Sequence, residues 1–349
     1  MLIDMILQVQ PYIPGIPTGK DNAWTAATRN DGITVKTWIK QWLDQTIENA
    51  KYHNFEEQSV MKLWRENAGR PVILAGAGPS LSRNYKELQG DGKDSHGRKS
   101  IPIVTNVHNF PFFEDNDIMR STDYYMVLDA GDICIKEMSE GGKNTPEWYW
   151  DRTEGRTLIA YHATHPEFIK KWKGPIYWFT TPPATPELGA EMGKLVDPSK
   201  VPGFNVGGNV MGAALYFAKA ILGSSLPIFI GMDLCFSYDR KFHPWDCWYN
   251  DTFKGVMPWT DIFGNRVYTW QSYFGFKNWF DYMACGGSGN NAQLWINATE
   301  GGILGAYPDG NIQQILQFDL RTALHMFTSY ELMPEMMSKS INGQMHLLF

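Results

Sequence analysis

The chain has 349 residues, 43% of them hydrophobic, with a formal net charge of −6. That length builds one large α/β domain or two small ones, and the acidic balance argues against non-specific binding to DNA or RNA, which needs a basic face. The four cysteines, Cys134, Cys235, Cys247 and Cys285, lack CxxC spacing, so neither a zinc site nor a disulfide framework is expected.

Met1-Leu2-Ile3-Asp4 opens without a basic segment. No apolar run reaches the ~18 residues of a membrane span. A cytoplasmic protein without a transmembrane segment is the expectation. Residues 1–33 are rich in Pro, Gly, Asn and Thr and read as irregular. Thr34–His53 predicts a helix with Val35, Trp38, Ile39 and Trp42 as its apolar stripe. Phe55–Asn67 predicts a second, carrying Val60, Leu63 and Trp64. Residues 1–69 thus form a helical N-terminal extension.

From Arg70 short apolar runs alternate with helical stretches. The predicted strands are Val72–Ala75, Ile101–Thr105, Tyr124–Leu128, Thr157–Tyr161, Ile176–Phe179 and Pro227–Gly231. Nearly continuous apolar runs mark strands buried on both faces. Their alternation with helices predicts an α/β core over residues 70–235, a mostly parallel sheet with helices on both faces. Phe236–Trp295 interleaves aromatics with Asp, Asn and Gly, too long for a plain connection. Residues 236–302 read as an aromatic-rich insertion or lid that completes the core. In the tail, 303–349, Asp319–Phe349 starts helical and stops near Pro334. Its Met326, Met333, Met336, Met337 and Met345 pack on the core or on a second copy in a homo-oligomer.

The sharpest local signal is Pro71-Val-Ile-Leu-Ala-Gly-Ala-Gly-Pro-Ser-Leu81. A strand runs into Gly76-Ala77-Gly78, and Pro79 suits the first turn of a helix. This is the logic of a Rossmann-like phosphate turn: glycines admit phosphate, the helix N-terminus offers amides, and Ser80 adds a hydroxyl. A tight structural turn needs the same glycines. Polar residues follow the other strands: Asn106, Asp129 with Asp132, His162 and His165, Thr180 and Thr181, and Asp233. Ligands of open α/β sheets bind beyond those strand ends, although capping and turn formation use the same residue types. A second motif, Gly207-Gly208-Asn209, opens a small-residue helix. It serves either a ligand or close helix–sheet packing.

In this order, Gly76-Ala-Gly-Pro-Ser-Leu81, Asn106, Asp129, Gly207-Gly208-Asn209, Ile230-Gly-Met-Asp233 and Asn297-Ala-Thr-Glu-Gly-Gly302 resemble the MptE-like superfamily. That group includes the Maf flagellin glycosyltransferases and the 6-hydroxymethylpterin diphosphokinases. The pattern is also similar to the single-domain bacterial sialyltransferases. In the glycosyltransferase branch the resemblance implies that Gly76, Gly78 and Ser80, with Pro79 between them, meet the nucleotide phosphate and sugar. Asn106 would contact the nucleotide, Gly207, Gly208 and Asn209 its base or phosphate region, and Asp233 would lie close by. The sialyltransferases take a general base from a histidine after that Asp motif, and His243 is the candidate here. Asp233 and Asp129 complete the catalytic candidates.

The expected function is transfer from a nucleotide sugar, CMP- or UDP-linked and bound as substrate, with no tightly bound cofactor. The acceptor, a protein, a glycan or a nucleic acid, would bind under the insertion. Trp245, Trp248, Asn297, Thr299 and Glu300 are the candidate contacts. Two alternatives stay open. A diphosphokinase would use Mg²⁺–ATP, with Asp129 and Asp132 as the metal-ligand candidates. A non-catalytic nucleotide-binding protein would keep the fold without the chemistry.

Overall fold

The apolar runs after residue 70 fold as strands with no wet face. The structure, a computed structural model, describes residues 38–89, 101–118, 122–181, 186–204, 206–245, 256–286 and 293–328. All six predicted strands form, with small boundary shifts: β1 (Pro71–Ala75), β2 (Ile103–Asn106), β3 (Thr122–Val127), β4 (Thr157–Tyr161), β5 (Ile176–Phe179) and β6 (Leu226–Ile230). A two-stranded antiparallel hairpin follows, β7 (Val256–Thr260) with β8 (Arg266–Trp270). Two short strands then join the main sheet, β9 (Trp295–Asn297) and β10 (Ile315–Gln317).

The main sheet has eight strands in the order β10-β9-β6-β1-β2-β3-β4-β5, and every pair is parallel. Side chains alternate between two cores. Ile73 and Ala75 enter one, Val72 and Leu74 the other. Both faces are covered, as a Rossmann-like α/β fold requires.

Helices on the first face are short and carry a proline in their first turn: α3 (Phe110–Asp115), α5 (Pro146–Asp151) and α6 (Pro166–Lys171). Proline suits a first turn because its missing N–H removes no helix bond. Between them lies α4 (Ile133–Glu137), and α2 (Leu81–Asn84) follows β1. On the second face α8 (Val210–Tyr216) runs on as a π-turn, Phe217–Ile221. It follows α7 (Pro186–Gly193). A Cβ on Gly212 would lie 1.9 Å from the Val206 carbonyl oxygen, so the small residue is needed for packing.

α9 (Gln271–Ala284) packs on that face too, with Trp279 and Phe280 against Phe229 and Trp295. The segment expected as a lid therefore also supplies the crossover helix between β6 and β9. Within α9, Lys277 and Asp281 form a fully buried ion pair. Asp281 also accepts from the Gly305 amide and the Tyr307 hydroxyl, both at 3.0 Å. The Lys277 ammonium lies 3.7 Å from the Tyr307 ring centroid. The tail begins as α10 (Leu320–Thr328), capped by Asp319, and Met326 packs on the core. The expected stop at Pro334 lies outside the described residues.

Two expectations about the lead-in need correction. Helix α1 covers 38–50; Val35 of its expected stripe lies outside the described residues and Trp42 packs on Tyr161, but the buried positions are polar. Trp38 is 51% exposed, whereas Gln45, Thr46 and Asn49 are buried. They reach loops after β3 and β4: Gln45 donates to the Ala130 carbonyl at 2.8 Å, and Asn49 to the carbonyls of His162 and Thr164 at 3.0 and 2.8 Å. Carbonyl groups, together with Trp42 packing on Tyr161, set which side of α1 faces in. Phe55–Asn67 is not an α-helix. It holds one 3-10 turn, Val60–Leu63, in a segment laid along the β5 edge. The Gln58 carbonyl accepts from the Trp178 amide, Ser59 Oγ donates to the Lys200 carbonyl, and Arg65 has φ 63°. These contacts outcompete helical hydrogen bonds.

His162, one of the residues placed in a lined cleft, is instead wholly buried, with Nδ1 2.9 Å from Thr46 Oγ1. Burial pushes its pKa down to about 3. The unfolded chain therefore takes up a proton below about pH 6.5 that the native chain refuses, and stability falls on acidification towards pH 3. Asp233, whose pKa burial raises to about 6, acts oppositely: its contribution is present below about pH 4 and lost as pH rises through 6. His162→Gln should leave stability rising as pH falls from 6 to 4, and Asp233→Asn should steepen the acid loss. Urea midpoints across that window check both signs.

Candidate active site

The strand order places the site. Strands are added outward from β1 through β2 to β5, and on the other side through β6, β9 and β10. The crevice at such a reversal, beyond the carboxyl ends of β1 and β6, is where open α/β sheets bind ligands. The Gly76–Ser80 turn and Gly231–Asp233 meet there. The Gly76 amide donates to the Ile230 carbonyl and the Gly78 amide to the Gly231 carbonyl, both at 2.9 Å, extending the sheet ladder.

These glycines are used against protein. A Cβ on Gly78 would lie 2.1 Å from Asp233 Oδ2, and one on Gly76 2.5 Å from the Gly231 oxygen. Asp233 accepts from the Ser80 hydroxyl at 2.7 Å and from the Ser80 amide at 3.2 Å. Ser80 and Pro79 are buried. The amides of Leu81 and Ser82 turn back to Gly78 and Pro79. The turn, expected to meet phosphate through Gly76, Pro79 and Ser80, is closed by the Asp233 carboxylate, which stands where an anion was expected. Only Ala77 and Gly78 of the turn reach its surface. Gly78→Ala should consequently lower stability by about 1–3 kcal/mol, read by thermal unfolding with no ligand present.

Asn109, absent from the sequence reading, fastens the same turn. It is buried and donates to the Gly76 carbonyl at 2.9 Å and the Ala75 carbonyl at 3.3 Å. Asn106 is the cap of this segment, its Oδ1 accepting from the Asn109 amide at 3.2 Å.

His243 is brought onto the glycine turn from the loop after β6. Its Nδ1 lies 2.8 Å from the Ala77 carbonyl oxygen. A carbonyl only accepts, so Nδ1 carries the proton, and Nε2 is the basic nitrogen of the neutral ring. His243 stacks on Trp245 at 4.9 Å and 12°, and His108 stands edge-on to it at 4.5 Å. His108 Nε2 lies 2.9 Å from Glu140 Oε2, and Nδ1 3.7 Å from Glu137 Oε1. The His108 hydrogen bond draws the Glu140 pKa down, whereas burial pushes Glu137 up to about 7. Sequence reading missed His108, Glu137 and Glu140. His108 comes from the segment after β2, and Glu137 and Glu140 from α4 and its following turn, two stretches with no common motif.

The other candidates divide. The start of α8 lies at the same end of the sheet. Its approach pairs with Thr180 just after β5, and its far end, Leu222 and Gly223, accepts from Asn67 and Gly69 before β1. Gly207 and Gly208 have φ 57° and 79°. Gly207 packs on Trp279, whose ring would lie 2.3 Å from a Cβ there, while Gly208 is exposed. Asn209 caps α8 by accepting from the Gly212 amide at 2.9 Å. Asn297 and Thr299, expected at the acceptor, are wholly buried. Thr299 Oγ1 accepts from the Met232 amide, and Asn297 bonds Gln317. Glu300 accepts from Asn84 and from the Leu320 amide. These three residues brace the loop over Asp233. Trp245 lies at the site; Trp248 falls outside the described residues.

Asp129 is exposed and accepts from the Gly131 amide at 2.6 Å; Asp132 pairs with Lys136 at 3.3 Å. Among the described residues no group of three or more His, Cys, Asp or Glu could hold a metal ion. His165 caps α6.

Sheet order defines a doubly wound α/β protein with a crevice at the topological switch point. Residues 44–239, more than half of the chain, match the protein-family model described as 6-hydroxymethylpterin diphosphokinase MptE-like. The chain belongs to the MptE-like family. Among solved structures it is similar to the MAf glycosyltransferase from Magnetospirillum magneticum AMB-1, at 15% identity and a TM-score of 0.50. The match covers 75% of this chain and 38% of that one, and at this identity it bears on fold alone. No curated protein matches the chain. No helix among the described residues is long and apolar enough to cross a membrane.

Proposed function

We propose that this protein is a nucleotide-sugar-dependent glycosyltransferase working at the β1–β6 crevice. The observation that carries the reading is the His243–Ala77 hydrogen bond. It favours an imidazole with a basic Nε2 beside the switch point, suited to taking a proton from an acceptor hydroxyl. The nucleotide would lie over Ala77 and Gly78. Its phosphate would approach Gly208 and the first turn of α8, where amides and the helix dipole favour negative charge. Trp245 and Phe242, which packs against His243 at 4.4 Å, offer aromatic surfaces for a sugar or base.

A second reading is pyrophosphoryl transfer, favoured by the description of the family whose model matches. A thermal-shift screen against CMP, UDP, GDP, ADP and ATP, each with and without Mg²⁺, separates the two. A ligand that binds only the folded state raises the melting temperature. Stabilisation by CMP or UDP supports glycosyl transfer. Stabilisation by ATP that requires Mg²⁺ overturns it in favour of the diphosphokinase. Tight binding with no turnover of any donor identifies a non-catalytic nucleotide-binding protein.

A further inference from the structure

The neighbours of His243 share one origin. The turn after α4, Glu140–Gly142, fixes both rings that hold the imidazole. Glu140 holds His108 through Nε2 at 2.9 Å, and His108 meets His243 at 4.5 Å and Trp245 at 4.9 Å. Gly141, with φ 67°, receives the other ring: a Cβ there would lie 2.0 Å from Trp245 Cδ1, and Trp245 is the residue stacked on His243. Gly141 combines a left-handed backbone with occupied side-chain space, which only glycine tolerates. One turn thus grips a histidine from the β2 loop and a tryptophan from the β6 loop, and His243 sits between them.

We infer that Glu140 and His108 are positioning residues for His243, holding its ring so that Nδ1 stays on the Ala77 carbonyl and Nε2 remains the basic nitrogen. Neither residue reacts in this account. His108 is held by two carboxylates, Glu140 and, at 3.7 Å, Glu137, and it acts by orienting its neighbour. Ring orientation of a general base matters because misplacement by about 1 Å costs on the order of a hundredfold in rate. The inference deepens the reading of His243 as base and rests on it for its catalytic meaning. The orientation itself is measurable without any substrate.

The test is long-range ¹H–¹⁵N histidine spectroscopy of the full chain. His53 and His162 also hold Nδ1 against acceptors, so the His243 signal is the Nδ1-protonated one that disappears in His243→Gln. In Glu140→Ala the signal should move to the pattern of a ring exchanging between tautomers. Glu140→Gln, which can still accept from His108 Nε2, should restore it. Once a donor is known, Glu140→Ala should lower kcat roughly tenfold to a hundredfold, with nucleotide Kd unchanged. Gly141→Ala is the second variant and should disturb the same signal by displacing Trp245. An Nδ1-protonated His243 signal unaltered in both Glu140→Ala and Gly141→Ala overturns the inference. A wild-type chain that shows the signal but turns over no donor removes the transferase reading and leaves the positioning result standing.

Discussion

Lys277→Met is expected to destabilise the protein by about 3–5 kcal/mol. Both members of the Lys277–Asp281 pair have no exposed side-chain surface. Removing the ammonium leaves a carboxylate in a dry interior, with only the Gly305 amide and Tyr307 hydroxyl to satisfy it. Burial already pushes the Asp281 carboxyl up, opposed mainly by Lys277, so the variant should meet the loss partly by protonating Asp281. The double variant Lys277→Met/Asp281→Leu should cost less than the two single changes added, because no lone charge remains. Urea unfolding of the four proteins gives the coupling, and strict additivity would show that the pair contributes nothing. The pair matters to the site because α9 carries Tyr273, which stacks on Phe242 at 5.3 Å and 4°, next to His243.

His243→Ala should reduce turnover of the physiological donor by about 10²- to 10⁴-fold, the usual contribution of a positioned general base. Nucleotide Kd should change by less than about twofold, since the loss falls on an interaction made in the transition state. The ring sits over the Ala77 carbonyl and not on the turn's amides, which is why affinity and rate should separate. Equal losses in both would mark His243 as a binding residue. Unaltered turnover would remove it from the mechanism.

The sheet was legible in the sequence where strands are buried on both faces. Val72–Ala75 and Pro227–Gly231 are apolar throughout, as strands covered on both faces require. β9 and β10 were not legible, because three residues, Trp295–Asn297 or Ile315–Gln317, are too few to show a period. Phe55–Asn67 has helical spacing, yet its backbone bonds to β5 and its neighbours, a tertiary choice that spacing does not encode. Asp233 and His243 were legible as residues near the glycine turn. The relation between them was not. Gly76 and Gly78 read as room for phosphate, but the nearest carboxylate belongs to the chain itself, 153 residues along from Ser80. His108 meets His243, and Glu137 and Glu140 meet His108, only after three distant segments converge at one end of the sheet.

Hydrogen–deuterium exchange with and without the nucleotide that most raises the melting temperature tests the central claim most directly. The β1–β6 crevice account predicts slowed exchange in peptides covering residues 76–80, 207–212 and 241–245, with little change elsewhere among the described residues. Protection confined to other segments, with these three unaltered, would contradict it.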